Sequence, residues 1–366
     1  VGLSGPLFIF DDRQMFTPTK NPYKFRYLIT GITGPGIEQV WLPEEPPEAD
    51  ILFKKEQKFI RVEPSEQLKI WMDEMLEGRE LDPEYIHPQQ NTITAWEDQE
   101  WERSTNGIWI WLNGEKWFIP GPYYKFLTAW QPYFGWPEFR IPDLEIWYWI
   151  IFWEEDPESY GGSLNTIRRA GKSTTMGFWG FNRTATNFDH FMGSQGEDNT
   201  KIADFYNKMI LSPFYRLPYY YQPTYDTTTL QKKGIIFQDP PRRGKKRKLK
   251  KGQVLNSSIE YRTSEAGKYD QAVLHTFVNE EPGKTLACNI DQRWRTVKPC
   301  LRRGKFIRGK AFFGTTCEFM DVVDKGGRAY KKLCYESDYN IKGKDGRTRS
   351  GLYAALMPGD CILEGF

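Results

Sequence analysis

One segment, "GSLNTIRRAGKSTTMGF" at residues 162–178, limits what this chain can fold into more than any other. Ser163 to Ile167 reads as a short strand, Gly171-Lys172-Ser173-Thr174 as a turn, and a helix is predicted from there to about Phe188. A strand ending in a turn that opens a helix aims backbone N–H groups and the positive end of a helix dipole at an anion. Gly171 lets the backbone approach a phosphate, Lys172 can reach β and γ phosphates, and the Ser173 hydroxyl can hold Mg²⁺. Position 166, where such a loop normally opens on glycine, is threonine, and Arg168 and Arg169 fill the middle. The competing reading is a chance GKS triplet.

A second segment, "AVLHTFVNEEPGKT", is a hydrophobic strand, Val273 to Val278, that runs into Glu280 and Glu281. The end of such a strand is where a sheet ATPase sets one carboxylate near Mg²⁺ and another against the attacking water. A solvated acidic turn before Pro282 is the plainer alternative. A third segment, "GKAFFGTTCE", is a strand from Lys310 to Phe313 ending in Gly314-Thr315-Thr316. Small hydroxylated residues there can sense a γ-phosphate, although Gly-Thr-Thr is also an ordinary turn.

These strands, with another at Gly234 to Phe237, alternate with helices and loops and predict an α/β domain with a mostly parallel sheet. Upstream, the first 88 residues look irregular apart from a helix at Ser65 to Glu77. Thr94 and Glu97 have capping-box spacing, "IWIWLNGEKWFI" predicts a hairpin about Asn113-Gly114, and helices are expected at Tyr123 to Trp130 and Pro142 to Glu155. Aromatic residues, 16% of the chain, concentrate before Ser159 and are expected to fill a core and an interface. The domain plan is 1–88 as an unassigned extension, 89–160 as the N-terminal part of the catalytic domain, and 161–366 as its core.

Charge is nearly balanced, with 50 Lys and Arg against 48 Asp and Glu, so any nucleic-acid contact must be local. The place for it is "PPRRGKKRKLKKGQ". Arg242, Arg243, Lys245, Lys246, Arg247, Lys248, Lys250 and Lys251 are candidate DNA-backbone contacts, unless the run is only a solvated loop. Five cysteines without a CxxC pair suit reduced thiols, and three histidines without ligand spacing argue against structural zinc. No apolar run is long enough for a bilayer and no signal pattern opens the chain, so a soluble intracellular protein is expected. The start at Val1 rather than Met suggests a processed or engineered beginning.

Together the three segments resemble the ATPase domain of the large terminase subunit of tailed bacteriophages. Walker A loops of that family often lack the first glycine and carry an arginine three residues before the last, here Arg168. "AGKYDQAVLHTFVNEEPGKT" is similar to its Walker B region, "FFGTTCEFMDVVDKGGRAYKKLCYESDYN" to its coupling motif, and "SGLYAALMPGDCILEGF" to the exit from the domain. "NGEKWFIPGPYYKFLTAWQP" is similar to the segment before the Walker loop, so the resemblance covers about Asn91 to Phe366.

The resemblance implies a P-loop NTPase of the ASCE/RecA-like class with an aromatic-rich N-terminal α+β region, using ATP and Mg²⁺. Arg168, Arg169, Ala170, Gly171, Lys172, Ser173 and Thr174 would bind nucleotide, Ser173 and Glu280 the metal. Glu281 would be the catalytic carboxylate and Arg168 a cis arginine, a role for which Arg169 competes. Gly314, Thr315 and Thr316 would couple hydrolysis to movement. Aromatics near Tyr123 and Gln131 are candidates for adenine, with core packing as the alternative. Implied partners are double-stranded DNA, the portal protein, the small terminase subunit and neighbouring copies in a ring at the procapsid in the host cytoplasm. The family's nuclease domain would begin where the sequence stops, at Phe366. A helicase-like DNA translocase and a non-catalytic nucleic-acid-binding capsid-associated protein are the rival readings.

Overall fold

The computed structural model describes residues 61–112, 115–227, 231–238, 255–286, 288–316 and 326–357, with the backbone of three strands before them. Of those three, β1 (Tyr23–Leu28) and β2 (Gln39–Pro43) pair antiparallel, and β3 (Ile51–Leu52) adds to a later hairpin. Helix α1 (Glu66–Leu81) starts where a serine can cap it: the Ser65 hydroxyl accepts the Leu68 amide at 3.2 Å. Leu68, Met72 and Met75 bury its inner face.

Helix α2 (Gln90–Asn106) overturns the expected capping box. It begins at Gln90, so Thr94 lies inside it, and Glu97 is buried and accepts the Tyr219 hydroxyl. Residues three apart also share a helix face; here the spacing marks an inward polar stripe of Glu97, Glu100 and Ser104. Gly107, at φ 77°, ends the helix. The hairpin follows as expected, β4 (Ile108–Leu112) against β5 (Glu115–Ile119), its Asn113-Gly114 turn lying outside the described residues. Helices α3 (Gly121–Ala129) and α4 (Ile141–Glu155) each carry proline in the first turn, where its missing N–H leaves no bond unmade.

The rest builds the main sheet. In chain order come β6 (Gly161–Thr166), α5 (Lys172–Ala185), β7 (Phe191–Gln195) and α6 (Asn199–Phe205), which a π-helical turn (Tyr206–Leu211) and α7 (Ser212–Phe214) prolong. Then follow β8 (Gly234–Phe237), β9 (Ser257–Tyr261), β10 (Thr276–Glu280) and α8 (Ile290–Cys300). The small pair β11 (Arg302–Arg303) and β12 (Phe306–Ile307) precedes β13 (Lys310–Thr316), α9 (Gly327–Tyr335) and β14 (Leu352–Leu356).

Seven strands pair in the order β14-β6-β13-β10-β7-β9-β8, all parallel except the β8–β9 edge. The protein is α/β. Both faces of the sheet are covered, so the middle strands are buried along their whole length. Side-chain alternation in β13 divides the core. Phe312 packs edge-on against Trp149, Trp153 and Trp179 of α4 and α5, whereas Phe313 meets Trp294 of α8 on the other face.

The aromatics before Ser159 do fill a core, which runs continuously from the β4–β5 hairpin through α4 into β6 and α5. At the start of β13, the Lys310 ammonium donates to the Trp153, Asp156 and Ser159 carbonyls at 3.1, 2.7 and 2.6 Å. It thereby ties that strand to the C-terminus of α4, where a positive charge is favoured. No helix among the described residues is long and apolar enough to cross a membrane.

Candidate functional site

Parallel strands in register end together, and ligands of open α/β sheets sit outside their carboxyl ends. Here Thr315 and Thr316 of β13 pair with Asn165 and Thr166 of β6, while Gly314 pairs with Glu280 of β10. The loop after β6, the acids after β10 and the Gly-Thr-Thr end of β13 thus converge at one edge. All three segments singled out from the sequence meet there.

The loop turns through two left-handed residues, Arg169 at φ 68° and Gly171 at φ 80°, and Gly171 caps α5. Glycine adopts that conformation without steric cost. Arg168 and Arg169 are exposed, Ala170 is buried, and the Thr174 hydroxyl faces the Met209 sulfur at 3.6 Å. Lys172, only 5% exposed, sends its ammonium across the sheet edge to Glu281 Oε1 at 2.7 Å, Glu280 Oε1 at 3.3 Å and the Gly314 carbonyl at 3.3 Å. Gly314 makes room for this: a Cβ there would fall 2.3 Å from Met176 Sδ and 2.9 Å from Lys172 Cδ.

The Ser173 hydroxyl donates to Glu280 Oε1. The other oxygen, Oε2, is buried without a hydrogen-bond partner among the described residues. A buried carboxylate oxygen with nothing to accept from is costly, and it lies beside a hydroxyl at the N-terminus of a helix. Mg²⁺ takes one or two carboxylates and leaves its other positions to water and phosphate, so Ser173 and Glu280 are a donor set that fits it. No group of three or more His, Cys, Asp or Glu capable of holding a metal occurs among the described residues, and this mode of binding needs none.

Glu281 sits in the left-handed region, at φ 50° and ψ 48°, which a non-glycine side chain adopts only when its surroundings impose it. They do so here. The Glu281 amide donates to the Gly314 carbonyl at 2.8 Å. Its Oε2 accepts the Thr315 hydroxyl at 3.0 Å, the Thr316 amide at 3.1 Å and the Thr316 hydroxyl at 3.3 Å, with Lys284 at 3.4 Å.

The two acids therefore diverge. Burial penalises both charged forms. For Glu281 the Lys172 charge and hydrogen bond, the Thr316 amide and Lys284 outweigh that penalty and hold its carboxyl down at about 2. For Glu280, more deeply buried and beside a second carboxylate, desolvation prevails over Lys172 and its carboxyl is raised.

Beyond Ser173, Glu280 and Glu281 the edge opens into a cleft lined also by Glu197, Lys201 and Lys208. The sequence did not point to these residues, nor to Arg140 and Asp143, which approach the loop from the N-terminal side. Arg140 grips Asp143 through two bonds of 2.7 and 2.8 Å and donates to the Ala170 carbonyl at 3.3 Å. An arginine three residues before an aspartate at a helix start is a visible signal for the pair, but not for its contact with the loop.

Tyr123 is not available to adenine. It has no exposed surface and stacks against both Phe126 and Trp147, which also touch each other, so core packing is its role. Gln131 is half-buried. The basic run from Arg242 to Lys251 lies outside the described residues. No protein-family model matches this chain, and no curated protein matches it either.

Proposed function

We propose that this chain is an ATP-hydrolysing motor domain of the terminase type, coupling hydrolysis to the movement of double-stranded DNA into a procapsid. One observation carries the catalytic part of the reading. Lys172 and Ser173, from the turn between β6 and α5, meet Glu280 and Glu281 at the end of β10, and the Gly-Thr-Thr end of β13 lies against the same acids. A chance GKS triplet carries no expectation of that meeting. The sheet, with β13 between the loop strand and the acid strand, is compatible with an ASCE/RecA-like P-loop NTPase.

On this reading the polyphosphate of ATP lies at the N-terminus of α5, taken by the Gly171–Thr174 turn and by Lys172. Ser173 and Glu280 are the residues that would hold Mg²⁺, whose chemistry there would be to neutralise phosphate charge. Glu281 orients the attacking water and accepts its proton. A carboxyl held at about 2 is a weak base, so Lys172 must first turn from Glu281 towards phosphate, which removes the main charge depressing it. Arg168 stays a candidate for the γ-phosphate. Thr315 and Thr316, which grip Glu281, would register its release and pass it to the segment that follows.

The duplex DNA part of the proposal rests on the sequence resemblance and on the basic run. The test is phosphate release from ATP, with and without duplex DNA, by the parent and by Glu281→Gln. Turnover in the parent, with a loss of about 100-fold or more in a Glu281→Gln variant that still binds ATP, is expected. A parent that hydrolyses no ATP under either condition, or a Glu281→Gln variant with normal turnover, overturns the assignment.

A further inference from the structure

We infer that Arg140 is a positioning residue for the phosphate loop, presetting the Gly171 N–H as an anion donor. The inference rests on the nucleotide-binding reading above and adds a group outside the loop to it. Arg140 immediately precedes α4, and its guanidinium is divided between two tasks. The Nε and one terminal nitrogen form a fork on the Asp143 carboxylate, at 2.7 and 2.8 Å. That same terminal nitrogen, Nη2, also donates to the Ala170 carbonyl at 3.3 Å. It lies so close to the turn that a Cβ on Gly171 would sit 3.2 Å from it.

The consequence follows from peptide geometry. The Ala170–Gly171 peptide is trans, as no cis bond occurs among the described residues, so its C=O and N–H point in opposite directions. Fixing the carbonyl on Arg140 therefore turns the Gly171 N–H the opposite way, away from that guanidinium. The Gly171 N–H has no acceptor among the described residues. Glycine at φ 80° belongs to a part of the backbone map where peptide flips cost little, because no Cβ opposes them. A loop of this kind needs an external brace if its amides are to stand ready before the anion arrives, and a ready donor binds more tightly than one that must be reoriented.

Asp143 supplies the second half of the brace. It is buried, and its two oxygens set the plane of the guanidinium. Tyr123 steadies the backbone behind it, its hydroxyl accepting the Arg140 amide at 3.3 Å. Lysine cannot reproduce the arrangement, since a single ammonium lacks the planar fork that serves carboxylate and carbonyl together.

The experiment compares parent, Arg140→Gln and Arg140→Lys for ADP affinity by calorimetry, KM and kcat for ATP, and melting temperature. The expected result is an ADP affinity and a KM each about tenfold weaker in both variants, the worth of one charge-assisted hydrogen bond, with kcat changed less than about twofold because Glu280 and Glu281 stay in place. A purely structural brace would lower the melting temperature of Arg140→Gln and leave affinity in the folded fraction untouched; that result, or equal affinities in all three proteins, overturns the inference while leaving the nucleotide site standing. Arg140→Lys keeps the charge and most of the volume, so it reports even where Arg140→Gln folds poorly. A parent that binds no ADP overturns the nucleotide reading and this inference together.

Discussion

The ammonium of Lys172 lies 2.7 Å from Glu281 Oε1, so the lysine expected to bind phosphate neutralises the acid expected to activate water. On the proposed reading, phosphate binding and water activation are thereby linked through one contact.

Lys172→Ala should lose nucleotide binding and also weaken the fold. It leaves two neighbouring carboxylates without their common cation, and breaking a buried ion pair from one side costs about 3–5 kcal/mol. Protonation relieves the penalty, because burial and mutual repulsion raise both acids once the lysine is gone. Urea unfolding of parent and variant should therefore show a larger gap at pH 8 than at pH 5. An equal gap at both values rules out an uncompensated acidic pair.

The pH dependence of Glu281 in the parent has the opposite sense. Its folded carboxyl is held at about 2, below the 4.5 of a free glutamate. A lowered carboxyl contributes stability that is present above the unfolded value and lost as pH falls through the folded one. Glu281→Gln cannot make that contribution, so the stability advantage of the parent over this variant should shrink as pH is lowered from 5 towards 2. Melting curves at intervals across that range measure it. A constant difference would mean that Lys172 does not depress Glu281.

Gly314→Ala tests how closely the three strand ends fit. Its methyl group would stand 2.3 Å from Met176 Sδ and 2.9 Å from Lys172 Cδ, so Lys172 must shift off its line to the acids. Overpacking of this kind costs about 1–3 kcal/mol, and ATP turnover should fall more than the melting temperature alone would predict. A variant with parental turnover would show that Lys172 reaches the acids by another path.

Replacing Lys245, Lys246, Arg247 and Lys248 with Ala should weaken duplex DNA binding equally across sequences. It should also flatten the dependence of affinity on salt, by a slope of about 0.9 per lost phosphate contact. Hydrolysis without DNA should stay near the parental rate. A salt titration of both proteins decides the matter: parallel lines would mean that this run does not touch the backbone.

The site was more legible in the sequence than the sheet that carries it. Glycine, charge and hydroxyl at the ends of apolar runs announced the loop, the acid pair and the β13 terminus, because each marks a point where a strand must turn. β7 and β14 gave no such signal. "FMGSQ" mixes glycine with polar residues, and "LYAAL" would suit a helix; both become strands because neighbouring strands supply their hydrogen bonds. β9, "SSIEY", pairs with β7 and β8 for the same reason. Local pattern also misled at Thr94 and Glu97, where the spacing of a cap is also that of a buried helix stripe. The Arg140 contact with Ala170 spans thirty residues and depends on how α4 crosses the loop, which no local pattern encodes.

β13 is held at both of its ends, but by unlike fastenings. At its start, the three carbonyls around Lys310 pin it to the last turn of α4 and the loop beyond. At its finish, Thr315 and Thr316 grip Glu281 through their hydroxyls and the Thr316 amide, and the Gly314 carbonyl accepts the Glu281 amide. A strand laddered on both edges cannot move by itself, so whatever loosens the grip on Glu281 is felt by β6 and β10 together.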